Sequence, residues 1–294
     1  MTKPQTSLES WITDFLTDLK NANRSPHTHR AYASDLYRLD AFYEGVPTAI
    51  LVDDLRDFLD TFSHLKPATR ARKQAALNSF FQWAFRQELI ATNPMARIAS
   101  VKRDTPQVRA LERADVEKIL AVIPAKQIRD QLLFHLIFET GLRVGEALQL
   151  YVEDLDMTLN DEHLYIRGKG GQRRTVLLDD SRLVAQLRRY LKQTDYQHGP
   201  LFRAQKNSRG GPLRYQSVQY RWQKYCEEAE IHCALHQLRH THATEMVNEG
   251  VSLATIRKRL GHKNIQTTLR YAEKSDESAD AELRAWRRRK ERNS

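Results

Sequence analysis

Apolar side chains recur every three or four residues through most of the first hundred positions, the period of helices with one buried face. Leu8, Trp11, Ile12, Phe15, Leu16 and Leu19 make the first stripe, with Ser7 placed to cap it. Ser25-Pro26 supplies a cap followed by proline at the first helical position. Behind it Tyr32, Leu36, Leu39 and Phe42 line one face. A third helix is predicted from about Val52 to Ser63, and a fourth after Lys66-Pro67, with Leu77, Phe80, Phe81, Ala84 and Phe85 inward. Asn93-Pro94 ends it, because the residue before proline avoids the helical region.

Periodicity then lapses in a basic stretch containing Pro106, which reads as a linker over residues 96–110. Helical patterns resume from about Arg113 to Val122 and through LLFHLIFE, which Gly141 ends or kinks. Val144 to Leu150 predicts a further short helix. The period changes to two at Leu164 and Ile166, and again at Val176 and Leu178, around the turn Gly168-Lys169-Gly170-Gly171-Gln172. That pattern predicts a hairpin, and a strand near Val152–Met157 would make the sheet three-stranded and antiparallel. Helices follow from Ser181 to Gln193 and from about Gln216 to Ala229. Ser252 caps another, which Gly261 closes with a left-handed turn. The expected fold is mainly α with a small antiparallel β-sheet, in two domains.

Composition narrows the partners. A net charge of +10 favours a polyanion, a solvated basic surface being the alternative. Arg70, Arg72 and Lys73 crowd the front of the fourth helix and could face DNA or simply solvent. Cys226 and Cys233 cannot make a disulfide framework and lack zinc spacing, so they read as buried or idle thiols of a reducing compartment. The N-terminus lacks the apolar core of a signal peptide, and no run is long enough for a membrane span. A cytoplasmic protein without a membrane partner is expected.

The candidate chemistry lies in the second half. His236 and Arg239 stand one helical turn apart, Leu260-Gly261-His262 follows, and Tyr271 comes nine residues after that histidine. Upstream lies Thr140-Gly141-Leu142-Arg143. Paired arginines can hold phosphate oxygens, a tyrosine can attack phosphorus and a histidine can move protons. Singly, each has a plainer reading: a surface ion pair, a core tyrosine, a lysine that keeps a turn soluble. The histidines at 236, 240 and 242 do not read as a metal site, because no carboxylate or cysteine completes the set and Arg239 would repel a cation. No metal or other cofactor is expected.

The order and spacing of these residues resemble the tyrosine recombinase (phage integrase) family, most closely its simple Xer-like or transposon-type members. The resemblance covers nearly the whole chain. It implies an N-terminal helical core-binding (SAM-like) domain over residues 1–95, a catalytic domain over 111–274, and a tail over 275–294. It implies Tyr271 as nucleophile, Arg143 and Arg239 as phosphate clamps, and His236 as proton handler. His262 would bond the phosphate, Lys169 would be the general acid, and Glu146 would orient Arg143 or a histidine. Arg70, Arg72, Lys73, Arg173, Arg174, Arg221 and Lys224 are candidate DNA contacts. The implied partners are double-stranded DNA and further copies of the chain, four on two duplexes. Leu283 and Trp286 of an amphipathic C-terminal helix would anchor a neighbour, and accessory proteins or a second recombinase could join. A type IB topoisomerase and a non-catalytic DNA-binding regulator are the alternative functions.

Overall fold

The computed structural model describes residues 7–102, 110–168, 173–204, 211–262 and 276–292. The chain divides into two compact units, Met1–Gln107 and Val108–Ser294. Among the described residues no helix is long and apolar enough to cross a membrane.

The first unit contains α1 (Leu8–Asn21), α2 (Pro26–Phe42), α3 (Val52–Asp60) and α4 (Pro67–Arg86). Both predicted serine caps are present: Ser7 accepts from the Ser10 amide and Ser25 from the Thr28 amide. The stripes meet in an aromatic core of Trp11, Phe15, Phe58, Phe80 and Phe81 with Leu36, Leu39 and Leu77. Helix α3 stops at Asp60, short of the predicted Ser63. The Gln74 side chain bonds the Ala99 carbonyl at 2.8 Å and the Val101 amide at 2.9 Å, fastening the outgoing chain to α4.

The second unit is built around α6 (Ile128–Thr140), which packs against α5 (Arg113–Ala121), α7 (Val144–Ala147), α8 (Ser181–Thr194) and α10 (Gln237–Asn248). Helix α6 is buried on nearly every side, which explains its almost unbroken apolar run. Strands β1 (Leu155–Asp156), β2 (His163–Arg167) and β3 (Arg173–Leu177) form an antiparallel sheet in that order, with Leu164 opposite Val176 and Ile166 opposite Arg174. Strand β1 is shorter than predicted because Val152–Asp154 coil into a tight helical turn, closed by Asp154 accepting from the Tyr151 amide. Helix α7 is likewise a single turn rather than a run to Leu150. The remaining helices are α9 (Tyr215–Glu228), α11 (Leu253–Leu260) and α12 (Asp276–Arg292). Helix α11 lies against both α10 and β3, which brings two distant sequence regions to one place.

Candidate active site

The site is assembled by three chain turns. Helix α6 ends at Gly141, in the left-handed region at φ +62°, and the chain reverses into Arg143 at the start of α7. Helix α11 ends at Gly261, at φ +64°, and leads directly to His262. His236 precedes α10, which carries Arg239 on its first turn.

Arg239 is 2% exposed. Its guanidinium donates to the Gly141 carbonyl at 2.6 Å and the Leu260 carbonyl at 2.9 Å, and Nη2 lies 2.8 Å from His262 Nε2. Arginine has no acceptor and stays protonated, so His262 Nε2 accepts and its ring proton resides on Nδ1. Burial, then the charges of Arg239, Arg143 and Arg174, lower the His262 pKa to about 4, so the ring is neutral near pH 7.

Arg143 is 45% exposed along its side chain. Its Nη1 donates to Glu146 Oε1 at 3.0 Å and approaches the Leu260 carbonyl at 3.5 Å, the oxygen that Arg239 also uses. The Leu260 carbonyl therefore joins the two guanidinium groups. Glu146 also accepts the Arg143 amide at 2.9 Å, closing the first turn of α7. Burial opposes ionisation of Glu146, yet bonds from Arg174 and the Arg143 amide hold its pKa down to about 2. The carboxylate thus orients Arg143, and its side-chain partners are two arginines and not a histidine. His236 lies at the rim, exposed. Partial desolvation, Arg239, His240 and Arg143 lower its pKa, which favours the unprotonated imidazole beside the two arginines. His242 is buried, accepts from Arg259 Nε at 3.2 Å, and has its pKa lowered to about 4 by burial and then Arg259.

Arg143, Glu146, His236, Arg239 and His262 are therefore brought together. Lys169 and Tyr271 lie outside the described residues. The candidate DNA contacts fare differently. Lys73 is 5% exposed, bonds Asp35 at 2.7 Å and stacks over Phe62, so the expectation of a DNA-facing lysine is corrected: it is a core ion-pair partner. Arg72 remains partly exposed but chelates the same buried Asp35, at 2.5 and 3.1 Å. Arg174 is also corrected. Its side chain is 15% exposed and grips Glu146 through both terminal nitrogens, at 3.0 and 2.9 Å, rather than lying on the surface. Arg221 donates to buried Asp130 at 3.0 Å, beside Tyr225. Arg70 is half-buried, whereas Arg173 and Lys224 are exposed.

The role of Arg174 was readable in the sequence. It shares the inward parity of Val176 and Leu178 along β3, and a charge at an inward position needs a buried partner.

The profile described as Phage integrase family matches residues 109–278, and that described as Phage integrase, N-terminal SAM-like domain matches residues 12–88. Tyrosine recombinase XerC of Pelobacter propionicus is 32% identical over 269 residues, covering 85% of each chain. XerC of Staphylococcus haemolyticus is 28% identical over 277 residues, covering 90% of this chain and 92% of that protein. The fold is similar to the XerH site-specific recombinase bound to palindromic difH substrate in a post-cleavage complex, with a TM-score of 0.79, 21% identity and 98% of both chains covered. It is also similar to a lambda integrase tetramer bound to a Holliday junction, with a TM-score of 0.74, 18% identity, and 94% and 81% covered. The profile spans more than half of the sequence, and the chain belongs to the phage integrase family of tyrosine recombinases, which are DNA strand-exchange enzymes.

Proposed function

We propose that the chain is a site-specific DNA recombinase that cuts and rejoins duplex DNA through a covalent bond between Tyr271 and a 3′ phosphate. The observation that carries this reading is the meeting of Arg143 and Arg239 at the Leu260 carbonyl, beside a neutral His262. Two fixed cations at one point are what a phosphorane-like transition state needs, because charge grows on its non-bridging oxygens. Their positions are set by backbone carbonyls and Glu146 before any substrate arrives, so little reorganisation is left for the reaction.

The steps follow from these roles. The Tyr271 phenol attacks phosphorus in line and loses its proton, with His236 as the neutral acceptor. The phosphorus–O5′ bond breaks as the new P–O(Tyr271) bond forms. Lys169 protonates the departing oxygen, leaving a free 5′ hydroxyl. A 5′ hydroxyl from the partner duplex then gives its proton to the neutral Lys169 amine and attacks the phosphotyrosine; the phenolate leaves, recovers its proton from His236, and the phosphodiester is restored. The number of phosphoester bonds is unchanged, so the exchange needs no nucleotide hydrolysis.

Four copies acting on two duplexes, through a Holliday junction, would perform such an exchange in resolution or integration of mobile or circular DNA. Helix α12 carries exposed Leu283 and Trp286 and would dock on a neighbouring copy. Truncation after Lys274 should then abolish cooperative loading on DNA while single-site binding remains, and unchanged cooperativity would refute docking.

A suicide substrate nicked near the cleavage point tests the chemistry. The wild-type protein should form a denaturation-resistant protein–DNA adduct, and Tyr271→Phe should form none. An adduct formed by Tyr271→Phe removes the nucleophile assignment. Relaxation of supercoiled plasmids that lack a target site would favour a topoisomerase instead.

A further inference from the structure

We propose that Arg174 is a positioning residue for strand cleavage, a clamp that sets Arg143 through Glu146 and ties strand β3 to the turn holding Arg239, and that it does not contact DNA. The proposal of a role in cleavage rests on the recombinase reading above; the clamp itself rests on geometry alone.

Each nitrogen of the guanidinium is used. Nη1 and Nη2 donate to the two oxygens of Glu146 at 3.0 and 2.9 Å, a fork-to-fork pair. Nε donates to the Arg259 carbonyl at 3.1 Å. The next carbonyl along the chain, that of Leu260, is the one that holds Arg239 and meets Arg143. Arg174 therefore fixes the carboxylate behind one phosphate clamp and the backbone under both.

Its seat is cut to fit. A Cβ on Gly261 would lie 2.8 Å from Arg174 Nη1 and 2.9 Å from Cζ, so a side chain at that position would displace the guanidinium. Arg174 also lies on β3, five residues after Lys169 in the sequence. The tie from β3 to Glu146 joins the sheet to the paired arginines. Lysine could not replace it, since one ammonium cannot span both carboxylate oxygens and the carbonyl with the same planar fork.

Arg174→Gln, Arg174→Lys and Glu146→Gln, made in the full chain, test this. At saturating protein, the single-turnover cleavage rate of Arg174→Gln should fall about 10- to 100-fold, the range typical of residues that orient an active-site ligand. Half-saturating protein concentration and the salt dependence of DNA affinity should stay at wild-type values. Arg174→Lys should recover little of the rate, and the Arg174→Gln/Glu146→Gln double variant should cost less than the two single effects combined. A salt slope shallower by about 0.9, with rate restored by lysine, is the signature of a lost phosphate contact and overturns the proposal. An unchanged cleavage rate overturns it as well.

Amide exchange in DNA-free protein separates the clamp from the reaction. The Arg143 amide, which donates to Glu146, should exchange faster in Arg174→Gln. Unaltered exchange there refutes the clamp whatever the chain does to DNA. A wild-type protein that forms no adduct, together with accelerated exchange in the variant, refutes the recombinase reading and the cleavage role but leaves the clamp standing.

Discussion

Gly141 and Gly261 make a matched pair that tests the seat of Arg174. Both close helices in the left-handed region, at φ +62° and +64°. Alanine at either position incurs the same backbone penalty, about 1–2 kcal/mol. The surroundings differ. A Cβ at 141 would sit 2.6 Å from both the His242 ring and a Leu260 methyl, two groups packed in the interior. At 261 it would meet the far end of the long Arg174 side chain, at 2.8 Å. Overpacking adds about 1–3 kcal/mol at the first position, whereas at the second the guanidinium can swing away. Gly141→Ala should therefore cost about 2–5 kcal/mol, and Gly261→Ala about 1–2 kcal/mol from the backbone plus the loss of the Arg174–Glu146 pair. For a unit of this size, 1 kcal/mol moves Tm by about 2–4 °C. Calorimetry would read both losses, and single-turnover cleavage on a nicked substrate would read the consequence. Gly261→Ala should lose cleavage about as severely as Arg174→Gln, because it expels the same guanidinium from Glu146. Wild-type cleavage by a folded Gly261→Ala protein would refute the reasoning.

The ion pair in the first unit gives a second test. Asp35→Asn leaves buried Lys73 without its carboxylate and should destabilise that unit by about 3–5 kcal/mol, measured by urea unfolding. Lys73→Met should leave the salt slope of DNA affinity unchanged, whereas a phosphate contact would have reduced it by about 0.9. Acid sensitivity gives a third. His242 is neutral in the fold, with its pKa lowered to about 4 from 6.5, so between those values the unfolded chain binds the extra proton. Its contribution is complete above pH 6.5 and is lost as pH falls toward 4, up to about 3 kcal/mol. Urea midpoints at pH 7.5 and 5 should differ by less in His242→Gln than in the wild type, and an equal difference would refute the assignment.

The helical elements were legible because burial follows a period. Ser7, Ser25 and Ser252 cap where the apolar stripes begin, and Gly141 and Gly261 stop helices where the stripes end. Lengths were harder to read. Helix α7 and strand β1 are too short to express a period, and Glu146 and Asp154 close the turns at the start of α7 and just before β1 through backbone amides that composition does not reveal. The convergence of Arg143, His236, Arg239 and His262 was legible only as a resemblance, since no local rule brings α6, α10 and α11 together.

The charges show what a stricter use of the same periods yields. Lys73 lies four residues before Leu77, on the stripe that continues through Phe80 and Ala84, and Asp35 lies four before Leu39. Helical spacing alone therefore points both inward, toward one another across α2 and α4, and the structure joins them at 2.7 Å. Arg174 follows the same logic at period two. A basic residue on a buried face cannot remain unpaired, because desolvating a lone charge costs several kcal/mol, roughly the stability of a small domain. An inward charge in the sequence thus implies an inward partner of opposite sign. Net charge misleads at such positions. Of the cations that composition offers as DNA contacts, Lys73 and Arg174 obey the inward parity and are bound within the protein, while Arg173, one step out of phase with Arg174 along β3, is exposed. Parity rather than charge separates the arginine that shapes the site from the one that faces solvent.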